Sequence, residues 1–147
     1  MSAKPKLAVM GGGMAGMSVA ARAAPAFQVT VLEAESQPAY HSSGRSAAVA
    51  IECYENEVVN ALTAPGRDYH LAHGARVIGN VTLADDDGLD VLAKFEARWS
   101  PRCESLGEIS LDELIRKVPI LNPQRISRAL IERDALALDA HALLESF

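Results

Sequence analysis

The chain has 147 residues, enough for one domain of ordinary size. Apolar residues make up 49% and charged residues 22%, a balance that excludes a disordered chain. The formal net charge is −5 with no basic stripe, which argues against a nucleic-acid partner.

Two cysteines, Cys53 and Cys103, lie far apart in sequence and form no CxxC pair, so neither a zinc ribbon nor a dithiol motif is expected. They read as ordinary free thiols of a reducing compartment, with no adjacent base to activate them. Lys4 and Lys6 flank Pro5, and the apolar run that follows is broken by glycines. No signal-peptide core and no membrane-length apolar stretch is present, so a soluble, cytoplasmic chain is expected.

Lys6 to Met10 reads as a short buried strand of the parallel type. Met14 to Ala24 is rich in Ala and Met and predicts a helix ending before Pro25. Phe27 to Glu35 predicts a second strand, completing a β-α-β unit. Ser36 to Ala48 is a polar, turn-rich loop. Glu55 to His73 looks helical, but Pro65-Gly66 inside it predicts a kink or two helices. Ala75 to Ala84 is β-rich, Asp85 to Gly88 a turn, and Leu89 to Trp99 a helix. Ser110 with Glu113 forms a capping box for a helix through Lys117. Ala129 to Glu132 predicts a strand, and Asp139 is the expected N-cap of a helix from Ala140. There is no internal repeat.

Chemistry concentrates near the N-terminus. Gly11-Gly12-Gly13-Met14-Ala15-Gly16 satisfies G-x-G-x-x-G between a predicted strand and a predicted helix. Gly11 makes the tight turn, Gly13 lets a pyrophosphate approach the main chain, and Gly16 lets the helix pack close to the strand. The helix N-terminus offers free N–H donors and a partial positive charge. Glu33, at the end of the second strand, stands 22 positions after Gly11, close to the roughly 20 expected of an acid that accepts ribose hydroxyls. Its charge disfavours a 2′-phosphate, hence NADP. The fingerprint alone does not separate NAD from FAD.

The next loop separates them. Tyr40-His41-Ser42-Ser43-Gly44-Arg45-Ser46-Ala47-Ala48 resembles the flavin-contacting loop of the D-amino-acid oxidase and dehydrogenase superfamily, which includes glycine, sarcosine and D-arginine oxidoreductases. The stretch from Val31 to Ala48 carries the resemblance most specifically, and Glu132 to Phe147 resembles the return from the substrate domain. Independently, Arg45 offers a fork of donors to phosphate, Ser42, Ser43 and Ser46 offer hydroxyls, and Ala47 and Ala48 are small enough to lie against a flat ring.

The resemblance implies a Rossmann-like α/β fold: a FAD-binding βαβ unit over residues 1–60, the start of an α+β substrate domain over 61–138, and a returning helix from 139. It implies FAD as cofactor and oxidation of the C–N bond of an amino acid or amine. The implied cofactor contacts are Gly11, Gly13, Met14, Ala15, Gly16, Glu33, Ala34 and the loop from His41 through Ala48. Relatives are well over twice as long, and no third parallel strand follows Ala140. The chain is therefore expected to be an N-terminal portion, inactive alone, with no catalytic residue of its own. In D-arginine-type members, polar residues face the substrate where Val49 and Ile78 stand here, a departure that does not suit a basic substrate. Two alternatives remain: an NAD-binding dehydrogenase domain, and a non-catalytic nucleotide-binding remnant.

Three further groupings are set aside on sequence grounds. His70 and His73 lack a third ligand and read as a surface pair. Asp85-Asp86-Asp87-Gly88 lacks the glutamate of a calcium loop. His41 beside Ser42 has no oxyanion motif. Trp99 is expected in the core or as a lid over apolar surface.

Overall fold

A computed structural model describes residues 3–54 and 56–147. In chain order the elements are β1 (Lys6–Met10), α1 (Met14–Ala23), β2 (Gln28–Leu32), β3 (Val49–Ala50), α2 (Glu57–Thr63), α3 (Arg67–Ala72), β4 (Arg76–Val77) and β5 (Asn80–Ala84). There follow α4 (Leu89–Trp99), β6 (Leu106–Glu108), α5 (Leu111–Lys117), β7 (Arg128–Glu132), β8 (Leu136–Ala137) and α6 (Ala140–Glu145). The chain divides into two compact units. One holds residues through Ala48, with Asp68–Ala75 and Leu138–Phe147; the other holds Val49–Arg67 and Arg76–Ala137.

The first unit is built on the β1-α1-β2 motif. β1 and β2 pair in parallel, with Val9 opposite Val31. Alternation puts Leu7, Val9, Val29 and Val31 on a half-buried face, while Met10 (86% exposed) and Leu32 lie on the open one. Among the described residues this sheet has these two strands. α1 ends at Ala24, its C-cap, one residue before Pro25. α6 packs on α1, and Asp139 caps it by accepting from the amides of His141 (3.1 Å) and Ala142 (2.9 Å).

α3 corrects the reading of His70 and His73 as a surface pair: both are half-buried. The short helix folds back at Gly74 (φ +87°), where the Ala75 amide donates to the His70 carbonyl. His73 stacks on the Tyr69 ring at 4.1 Å and its Nδ1 lies 2.7 Å from the Tyr69 carbonyl. His70 Nδ1 is buried without a hydrogen-bond partner among the described residues. Burial, and then the neighbouring His73, hold the His70 pKa below the usual histidine value.

The second unit has its core on β7. This apolar run is the central strand of the antiparallel sheet β5-β7-β6, with Ile131 between Val81 and Gly107. Ala129 and Ile131 face a cluster with Ile109, Leu114 and Ile126. Leu130, on the opposite face, packs with Ala84 and Leu92, and Phe95 and Leu106 border this cluster. α4 turns Leu92, Phe95 and Trp99 to one side at helical spacing; Trp99 is core, beside Cys53 and Cys103.

Pro65-Gly66 falls in a single 3₁₀ turn, Ala64–Gly66, which separates α2 from α3, so the expected break gives two helices. Two boundaries differ from the sequence reading. Asn56 caps α2 through the amides of Val58 and Val59; Glu55, the predicted helix start, lies outside the described residues. The β-rich stretch from Ala75 splits in two at Gly79 (φ +75°), a conformation that bends the chain from β4 into another sheet at β5. In the capping box, Ser110 Oγ accepts from the Glu113 amide at 3.2 Å, while the Glu113 carboxylate pairs instead with Arg133. Asp85 caps the turn that follows β5 through the Gly88 amide.

Candidate functional site

The predicted glycine turn joins β1 to α1. Gly11 has φ +97°, a conformation that glycine alone adopts readily, and its amide donates to the Leu32 carbonyl at 2.7 Å. Gly13 is the N-cap of α1, extended, with no side-chain cap and no acid in the first turn. The first intrahelical bond runs from the Met17 amide to the Gly13 carbonyl, so the amides of Met14, Ala15 and Gly16 precede the ladder. A Cβ on Gly16 would collide with the Gly11 carbonyl oxygen, so close packing of helix and strand requires glycine there.

Glu33 closes onto this turn from the end of β2. Its Oε2 accepts from the Gly12 amide at 2.6 Å, and its Oε1 accepts from the Ala34 amide (2.7 Å) and the Glu35 amide (3.0 Å). The amides of Glu35, Gly12 and Ala34 hold its carboxyl below the ordinary glutamate value. Of about four lone-pair positions on a carboxylate, three are engaged.

The loop after β2 lies over the same turn. The Ala39 amide donates to the Gly12 carbonyl (3.1 Å), with Ala39 at φ +59°. Ser43 Oγ accepts from the Met14 amide at 3.1 Å, and a Cβ on Gly13 would meet that oxygen at 3.1 Å. A Cβ on Gly44 would collide with the Ala39 carbonyl oxygen, so the loop is tightly wound.

Gly11, Gly13, Met14, Ala15, Gly16, Glu33, Ala34 and Ser43 thus come together. The other predicted residues engage neighbours within the loop. His41 Nε2 lies 2.7 Å from Glu35 Oε1. The Arg45 guanidinium sits 5.3 Å from the Tyr40 ring centroid. Ser46 Oγ accepts from the Ala48 amide, and Ala48 has φ +48°. Ser42, Arg45 and Ala47 are exposed. Val49 and Ile78, both exposed, lie in the second unit.

Sequence reasoning missed two residues. Gly12 is buried and supplies the amide that seats Glu33; a triple glycine, where the fingerprint needs two, was the available signal. Ala39 gave none, because alanine at positive φ is invisible in sequence. A cavity of about 340 Å³ also borders the unit, lined by Met17, Gln37, Pro38, His141, Leu144 and Glu145.

The arrangement can take a diphosphate: helix-start amides that precede the ladder with no acid in the first turn, the Ser43 hydroxyl on the Met14 amide, and a carboxylate fixed one strand away. The family described as FAD dependent oxidoreductase (DAO) matches residues 6–147 in its sequence profile. The chain belongs to the FAD dependent oxidoreductase family. The cofactor of this family is FAD. Solved structures agree in fold. L-proline dehydrogenase from P. horikoshii superposes with a TM-score of 0.82 at 18% identity, over 99% of this chain and 41% of that chain. Glycine oxidase from Geobacillus kaustophilus gives 0.81 at 17% identity, over 99% and 43%. L-alpha-glycerophosphate oxidase from Mycoplasma pneumoniae, with FAD bound, gives 0.76 at 18% identity, over 99% and 41%. The chain therefore spans less than half the length of these members of the fold. Among the described residues no helix is long and apolar enough to cross a membrane.

Proposed function

We propose that residues 1–147 supply the ADP-binding part of a FAD-dependent oxidoreductase acting on the C–N bond of amino acids or amines. The observation that carries this reading is the seating of Glu33 on the Gly12 amide with Ser43 on the Met14 amide, which gathers ribose and phosphate chemistry at one turn. In this reading the amides of Met14, Ala15 and Gly16 hold the pyrophosphate, with Gly11 and Gly13 giving it room. The Ser43 hydroxyl rotates to donate to a phosphate oxygen. Glu33, oriented by Ala34, accepts from the ribose. His41, Ser42, Gly44, Arg45, Ser46, Ala47 and Ala48 line the path toward the ring, Arg45 contributing charge and the alanines little bulk. The first unit is then the FAD-binding portion and the second the start of the substrate domain.

Bound flavin supplies the two-electron acceptor for the amine's hydride. The chain's own residues bind and orient it, and none is assigned a catalytic role. The amine class draws support from the proline dehydrogenase and glycine oxidase that share the fold. The apolar Val49 and Ile78 favour an uncharged side chain on the substrate. The reading gives these residues binding without turnover: flavin held by this chain stays oxidised when glycine, sarcosine or D-amino acids are added anaerobically. Purification with the flavin's visible absorbance, and its loss in Gly13→Val, supports the assignment; flavin binding unchanged in Gly13→Val overturns it.

A further inference from the structure

In the second unit, three buried side chains from distant parts of the sequence converge. Cys53 follows β3, Cys103 lies between α4 and β6, and Glu132 ends β7. Two thiol sulfurs and a carboxylate oxygen all lie within 4.8 Å of one another. Their residues are 6%, 1% and 2% exposed, and both cysteines are free. Sequence separation hid this grouping, and each cysteine read as an isolated thiol.

β-strand alternation explains Glu132. Leu130 faces the α4 side of the sheet, so Glu132, two residues on, points the same way. Its carboxylate accepts from the amides of Glu52 (2.7 Å) and Cys53 (3.2 Å), and no cationic side chain pairs with it among the described residues. A carboxylate sealed in this way calls for a positive partner, because two amides offset only part of the lost hydration. The atoms beside it are sulfurs. A tetrahedral zinc-like centre has M–S near 2.3 Å and M–O near 2.1 Å, which sets its donors roughly 3.4–3.8 Å apart. The observed separations, all within 4.8 Å, exceed that spacing by about 1 Å at most.

We propose that Cys53, Cys103 and Glu132 form a structural site for a thiophilic divalent cation of the zinc class, with water as the fourth donor. Binding releases one proton from each thiol, giving two thiolates and one carboxylate around the dication. The cation clips the segment after β3, the loop after α4 and the end of β7 into one node, far apart in sequence and therefore entropically worth closing.

The test is a Co²⁺ titration of the full 147-residue chain under a non-thiol reductant. A thiolate-to-cobalt charge-transfer band should saturate at one equivalent and disappear on adding equimolar Zn²⁺. Cys53→Ser and Cys103→Ser should each lose the band, and Glu132→Gln should weaken Co²⁺ binding at least tenfold. Should a variant not fold, alkylation of the unmodified chain decides: Zn²⁺ should slow the reaction of both cysteines at least tenfold, and a chelator should restore it. Absence of the band at equimolar Co²⁺, its survival in both cysteine variants, or alkylation indifferent to Zn²⁺ overturns the site. Unchanged affinity in Glu132→Gln overturns the three-donor set.

Discussion

Gly13 and Gly16 stand three residues apart, yet they serve different purposes, and substitution separates them. A Cβ at Gly16 meets a backbone oxygen, which no rotamer relieves. Gly16→Ala should therefore destabilise the fold by about 1–3 kcal/mol or more, read from urea midpoints. At Gly13 the neighbour is the Ser43 hydroxyl, which can swing away. Gly13→Val should leave the urea midpoint nearly unchanged while removing nucleotide binding. Glu33 gives a pH signature. Its folded pKa lies below the ordinary 4.5, so its stabilisation is full above the unfolded value and is lost as pH falls through the folded one. The stability gap between the native chain and Glu33→Gln should shrink as pH drops below 4.5, and a gap independent of pH would contradict the three amide bonds. His70 behaves as a base held neutral: its folded pKa is depressed below 6.5, so the unfolded chain binds the extra proton first. Stability should fall as pH drops below 6.5, and His70→Phe should flatten that part of the melting-temperature profile.

At the scale of elements, legibility followed period and punctuation. The β1-α1-β2 unit was readable because strand, glycines, helix and acid fall at fixed offsets; α4 and α6 were readable from spacing and from the Asp139 cap. β3, β6 and β8 were not, since two or three residues carry no period. Their pairing is set by non-local partners, as where Val49 and Arg76 both face Ala137. The site was legible in its glycines and its acid but not in how loop 36–48 closes on them, because that closure depends on the conformation of Ala39. The β1-β2 sheet and the β5-β7-β6 sheet also differ in burial: Ala129 through Glu132 of β7 are buried, and no residue of β1 or β2 is. Amide hydrogen exchange should therefore be slowest in β7 and markedly faster in β1 and β2. Leu130→Ala, which empties a fully buried position, should cost about 2–5 kcal/mol by denaturation. Asp139→Ala should cost about 1 kcal/mol, because two α6 amides lose their acceptor.

For the whole molecule, family membership fixes the cofactor class, and the proposed function gives the first unit the recognition of its adenosine-diphosphate half. In that proposal every feature gathered at the glycine turn addresses phosphate or ribose, and none addresses the isoalloxazine directly. Recognition by this chain should therefore follow the nucleotide half of the cofactor. The direct measurement is a FAD titration of the 147-residue chain, followed by flavin fluorescence, with ADP and riboflavin as competitors. Saturable quenching that ADP displaces and riboflavin does not, and that Glu33→Arg weakens, is the predicted result. Absence of binding, or displacement by riboflavin as readily as by ADP, would contradict the placement of the dinucleotide on the β1–α1 turn.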